Sequence, residues 1–135
     1  MTSNEGVLAL SKAAKERWME KLCAGSFAFM EAASLMKASG DPSKLQGLIL
    51  EGKVLAFNYQ GHQWFPKYQF VGEEIRPVME QLLTIAREVG ASDVDLALWI
   101  ISNSSLFSKH DAPAAHLDDP TQVIEAAHLH FEALW

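Results

Sequence analysis

The residue types best suited to chemistry in this 135-residue chain gather toward its C-terminal end. His110, His116, His128 and His130 stand close in sequence to Asp111, Asp118 and Asp119, a set that can ligate a divalent metal. Spacing argues against that use. His128 and His130 are two apart on an expected helix, roughly 200° around its axis, and cannot chelate together. They read better as solvated or capping histidines. Cys23, the single cysteine, falls on an amphipathic stretch where a thiol packs rather than attacks. Asp118 and Asp119 precede Pro120, where negative charge favours a helix start over a catalytic carboxylate pair. No glycine run has phosphate-loop spacing; Gly40, Gly47 and Gly52 suit helix ends or close packing. No catalytic residue, metal or cofactor is expected, and the chain is not expected to be an enzyme.

Composition narrows the class. At 14.9 kDa, with 49% hydrophobic and 21% charged residues, the chain has room for one compact domain or two small subdomains sharing a core. It is too apolar for a disordered chain, and its longest clean apolar run, Leu96 to Ile101, is too short to span a bilayer. The N-terminus lacks a signal-peptide layout and a lone cysteine makes no internal disulfide, so a cytoplasmic protein is expected. The net charge of -6 hides an asymmetry. Residues 1–70 carry eight basic and six acidic side chains, whereas residues 71–135 carry three and eleven. Any polyanion contact therefore belongs to the first half and a different partner to the acidic second half.

Those residues must be positioned by a mainly helical frame. Val7, Leu10, Ala14, Trp18 and Leu22 recur on one helical face, and Gly25 ends that helix. Ser26 is placed to cap a second helix, Phe27 to Ala38, stopped by Ser39-Gly40. Asp41-Pro42 starts a third, which buries Leu45, Leu48 and Ile49 and ends at Gly52. The period then changes. Val54 to Tyr59 and His62 to Tyr68, separated by the tight-turn pair Gln60-Gly61, predict a β-hairpin whose second strand is limited by Pro66. Pro77 opens a helix with Val78, Leu82, Ile85 and Val89 on one face, closed by Gly90. Ser92 with Asp95 forms a capping box for a very apolar helix to about Ile101. Ser102 to Ser105 breaks the pattern, a short turn follows near Pro113 to Leu117, and Asp119-Pro120 starts a last helix burying Val123, Ile124, Ala127, Phe131 and Trp135.

Two helices joined by a short turn and followed by a hairpin is the order of a winged helix-turn-helix. The stretches FMEAASLMKA, DPSKLQGLILEGKVLAF and QGHQWFPKYQF resemble the small winged-helix modules of the MerR and excisionase type. That resemblance makes the third helix the recognition helix, offering Ser43, Lys44 and Gln46 to a major groove. Gln suits an adenine edge, and Lys suits guanine or phosphate. Lys44, Lys53 and Lys67, with Gln60 and His62 at the hairpin tip, would supply the backbone contacts.

The later segment DLALWIISNSSLFSKHDAPAAHLDDPTQVIEAAHL resembles the C-terminal toxin-binding domain of the Xre/MbcA/ParS antitoxin family. Trp99-Ile100, Asn103, Leu106, Pro113, Leu117 and the Val123 to Leu129 helix match in order; Phe107-Ser108 stand where the family has glycines. Trp64, Phe65, Pro66 and Gln69-Phe70 resemble the junction found where the two halves are paired. The resemblance implies an antitoxin of a type II toxin-antitoxin system, or an orphan relative. It would repress its own promoter and block the active-site entrance of a cognate toxin, often an NAD-consuming RES-domain enzyme.

The expected fold is mainly α: a winged helix-turn-helix with one β-hairpin fused to a small helical antitoxin-like domain. The boundaries are an N-terminal amphipathic helix at 1–25, the winged subdomain at 26–71 and the helical subdomain at 72–135. The expected function is a DNA-binding, antitoxin-like transcriptional regulator with no membrane partner; the alternative is a stand-alone inhibitor or immunity-like protein that does not bind DNA. The toxin-facing surface is expected in the turn after Trp99, with Asn103, and on the last helix. Asp118, Asp119, Glu125 and Glu132 would place charge around the apolar anchors Phe107 and Trp135. A homodimer through the first helix is expected, since winged-helix regulators read paired half-sites.

Overall fold

The computed structural model describes the backbone of residues 2–36 and 42–134, with side chains from residues 12–36 and 43–133. The chain is mostly helical with two small antiparallel sheets. Helix α1 (Thr2–Ala24) leads into strand β1 (Ser26–Ala28), then α2 (Phe29–Leu35) and α3 (Pro42–Leu50). A hairpin follows, β2 (Phe57–Tyr59) and β3 (His62–Pro66), then a smaller one, β4 (Phe70–Val71) and β5 (Glu74–Ile75). Helices α4 (Val78–Glu88), α5 (Asp93–Ile101) and α6 (Pro120–Leu134) complete the chain.

The first departure from sequence expectation is at Ser26. Rather than capping a helix, its hydroxyl donates back to the Leu22 carbonyl at 2.7 Å and so closes α1. Residues 26–28 then pair antiparallel with β3, Phe27 opposite Phe65, giving the sheet order β1-β3-β2. Helix α2 therefore begins two residues late, with the Glu31 carboxylate accepting the Ala28 amide at 3.0 Å. The hairpin is also shorter than its apolar run. Gln60 and Gly61 both take positive φ, 51° and 78°, as a two-residue turn of right-handed twist requires. Pro66 ends β3, and the chain turns through a 3-10 segment, Lys67–Gln69, into the second hairpin, which the sequence reading does not contain. Helices α4, α5 and α6 fall where the caps and apolar faces put them. Ser92 and Asp95 exchange side-chain to backbone hydrogen bonds at 3.1 and 3.0 Å, and Asp119 accepts from the Gln122 amide at 3.3 Å. The Ser39-Gly40 stop and the Asp41 cap lie outside the described residues.

Two cores result. Residues 54–57 run between them with alternating side chains, Val54 and Ala56 entering one core and Leu55 and Phe57 the other. The smaller core joins Val54 and Ala56 to Ala32 and Ala33 of α2, Leu45 of α3 and Phe65 of β3. Leu48 and Ile49, expected inside, are half-buried against it. The larger core joins Leu55 and Phe57 to α4, α5 and α6, with Leu82, Leu96, Ile100, Val123 and Phe131 at its centre. Met19 and Leu22 of α1 belong to this larger core, so α1 packs against both the sheet region and the helical half. The side chains of Val7 and Leu10 lie outside those described.

Gln69 fixes the segment whose side chains the two cores share. Fully buried, its side-chain amide donates to the Leu55 carbonyl and accepts from the Leu55 amide, both at 2.8 Å, standing in for a neighbouring strand. Beside it, the Tyr68 hydroxyl donates to the Ala97 carbonyl of α5 at 3.1 Å, and desolvation raises its pKa well above the ordinary value. Arg76 donates to the Tyr68 carbonyl at 3.0 Å. Of the junction residues Trp64, Phe65, Pro66, Gln69 and Phe70, Gln69 alone takes part in these hydrogen bonds.

Candidate nucleic-acid and protein interfaces

Helix α3 buries Leu45 and turns Ser43, Lys44, Gln46 and Leu50 outward. Ser43, Gly47 and Leu50 lie near the centre of its outer face, with Gln46 on one flank and Lys44 on the other. Leu50, which sequence reasoning passed over, is 87% exposed. At the hairpin tip Gln60 and His62 are exposed, His62 edge-on to Trp64 with ring centroids 6.3 Å apart. The lysines differ in what they already hold. Lys53 pairs with Glu51 at 3.4 Å, and the Lys67 ammonium lies 5.0 Å from the Phe27 ring centroid. Lys44 has no ion-pair partner among the described residues.

The segment between α5 and α6 is a closed loop rather than an open tail. The Ser104 amide donates to the Asp111 carbonyl at 3.0 Å, and the His110 amide to the Phe107 carbonyl at 2.9 Å, with His110 at φ 54°. Phe107, expected as an exposed anchor, is fully buried and stacks flat on His116, with centroids 4.4 Å apart. The closed loop turns inward, and the larger aromatic fills the core between α5 and the 3-10 turn Pro113–His116. Its neighbour Leu106 is 41% exposed instead. His116 holds the Asp111 carboxylate at 2.6 Å; that hydrogen bond is the leading cause that keeps Asp111 below the usual carboxylate range.

The remaining residues expected to face a toxin divide between exposed and engaged. Asn103 and Glu125 are exposed. Asp118 is exposed but paired with Arg76, Asp119 caps α6, and Glu132 holds His128 at 2.8 Å. Trp135 lies outside the described residues. The buried Phe131 closes the larger core edge-on to Trp99, while His130 stacks on the same indole at 5.4 Å. Desolvation there lowers the His130 pKa. Among the described residues no group of three or more His, Cys, Asp or Glu side chains could hold a metal ion. Burial raises the Cys23 pKa, which disfavours the thiolate. No helix, among the described residues, is long and apolar enough to cross a membrane.

No protein-family model matches the chain, and no curated protein matches it. Among solved structures it is similar to the NMR structure of Rv2175c, with a TM-score of 0.69 at 18% identity over 78% of this chain and 80% of that one. The likeness at that identity is one of fold.

Proposed function

We propose that the chain is an antitoxin-like transcriptional regulator: the α2–α3 pair and the β2–β3 hairpin form a winged helix-turn-helix that binds promoter DNA, and the helical half binds a cognate toxin. The observation that carries the DNA reading is the division of α3, with Leu45 in the core and Ser43, Lys44, Gln46 and Leu50 exposed, directly before a hairpin with an exposed polar tip. Residues 26–71 contain no arginine, the commonest guanine reader. Readout accordingly falls to Gln46 at an adenine edge and Leu50 at a thymine methyl group. The partner surface is built from Asn103, Leu106, Glu125 and the exposed Leu129 of α6, with the excess negative charge of residues 71–135 around them. A RES-domain, NAD-consuming enzyme is the class of toxin the sequence resemblance implies.

One observation favours the second reading, an inhibitor that does not bind DNA. Lys53 and Lys67 already have partners, and few phosphate contacts mean weak, strongly salt-dependent attachment. In a homodimer α1 would have to use Val7, Leu10 and the half-buried Trp18 of the expected face, since Leu22 is spent internally. Fluorescence anisotropy with the chain's own upstream DNA at low salt separates the readings. The Lys44→Ala/Gln46→Ala variant is expected to bind about tenfold or more weakly with unchanged circular dichroism, since both side chains are exposed. An unmodified protein that does not bind leaves the inhibitor reading.

A further inference from the structure

A cavity of about 290 Å³ opens in the seam between α3 and the start of α4. Its floor is apolar, formed by the half-buried Met36 beside α2, Leu48 of α3 and Ile75, with the exposed Pro77 at its edge. Its rim carries six charged side chains, and three of them are already committed. Arg76 is held by the Tyr68 carbonyl and Asp118, Lys53 by Glu51, and Glu73 has an interaction of its own. Lys44 from α3, Glu74 from β5 and Glu80 from α4 have no ion-pair partner among the described residues.

Opposite charges thus line one cavity without pairing with each other within 4.0 Å. A ligand with a single charge would satisfy one wall and desolvate the other unmatched, which costs free energy. A ligand with both charges and an apolar body between them matches the rim and the floor together. We propose that this cavity binds a small zwitterion with an apolar side chain, of the class of apolar amino acids and short apolar dipeptides. The carboxylate meets Lys44, the ammonium meets Glu74 and Glu80, and the side chain covers Leu48 and Ile75. The site stands without the DNA reading. One consequence rests on that reading: a filled cavity competes with phosphate for the Lys44 ammonium and weakens DNA binding.

The test is calorimetry on the full chain with three probes that share one body: L-phenylalanine, phenethylamine and 3-phenylpropanoate. L-Phenylalanine is expected to bind at least about tenfold more tightly than either singly charged probe. Lys44→Met should bring its affinity down to that of phenethylamine, and Glu74→Gln/Glu80→Gln down to that of 3-phenylpropanoate, with circular dichroism unchanged in both. No binding heat from L-phenylalanine at about ten millimolar overturns the proposal. So does equal affinity for the three probes, or parent-like affinity in both variants. In anisotropy with promoter DNA, saturating L-phenylalanine should weaken the parent complex by about threefold or more, and an unchanged complex refutes the competition for Lys44. If the parent binds no DNA at all, the DNA reading falls while the calorimetry still decides the site.

Discussion

The α2–α3 and hairpin region excludes water with small or solitary residues, whereas the helical half does so with three helices packed on one another. In the former, among the described residues, Ala32, Ala33, Leu45, Val54, Ala56 and Phe65 make the hydrophobic cluster, ringed by half-buried side chains such as Phe27, Met36 and Leu48. In the latter, α4, α5 and α6 bury residue after residue and also draw in Met19, Leu22, Leu55 and Phe57 from the first half. A core as small as the first contributes only a few kcal/mol against the chain entropy of ordering its segments. The region that presents α3 is therefore held in shape by its neighbour, through the alternation at 54–57 and the Gln69 clasp.

The contrast breaks most completely on truncation. Residues 1–71 alone would expose Met19, Leu22, Leu55 and Phe57, so they are expected not to fold. A proton–nitrogen correlation spectrum of that fragment should be collapsed, and a dispersed one would mean that the small core suffices. Next in size is Gln69→Leu, which keeps the volume but leaves the Leu55 amide and carbonyl buried without partners. At about 1–3 kcal/mol for each group, urea denaturation should show a loss of about 2–5 kcal/mol.

Neither weakness could be read from the sequence, although the pieces were visible. The helix starts at Ser92 and Asp119 and the turn at Gln60-Gly61 rest on local chemistry that neighbours do not override, and each falls where the residues place it. Ser26 looks like a cap because its type allows one; the strand that takes its place exists only because β3, some 36 residues later, lies alongside. Phe107 looks exposed because its neighbours are polar, yet the closed loop turns it inward and leaves Leu106 out. The cavity beside Lys44 is less legible still, since its walls come from Met36, from Lys44, Leu48 and Lys53, and from residues between 73 and 80.

The smallest expected effect sharpens the same contrast from the helical side. Burial against Trp99 lowers the folded pKa of His130 below its ordinary value near 6.5. The unfolded chain therefore takes up the proton more readily as the pH falls. His130 costs no stability well above pH 6.5, and stability is lost as the pH drops through that value toward the lowered folded pKa. The melting temperature should fall between pH 7 and 5, and His130→Phe should flatten that slope; an equally steep slope in the variant would assign it to other groups.

The account assigns DNA to the weakly held half and a protein partner to the strongly held one. The most direct measurement is a proton–nitrogen chemical-shift map of the full chain, titrated at low salt with a duplex from its own upstream region. The account predicts that the amides of Ser43, Gln46, Leu50, Gln60 and Gly61 move while those around Asn103, Glu125 and Leu129 stay in place. Shifts confined to the helical half, or no shifts at all, would contradict it.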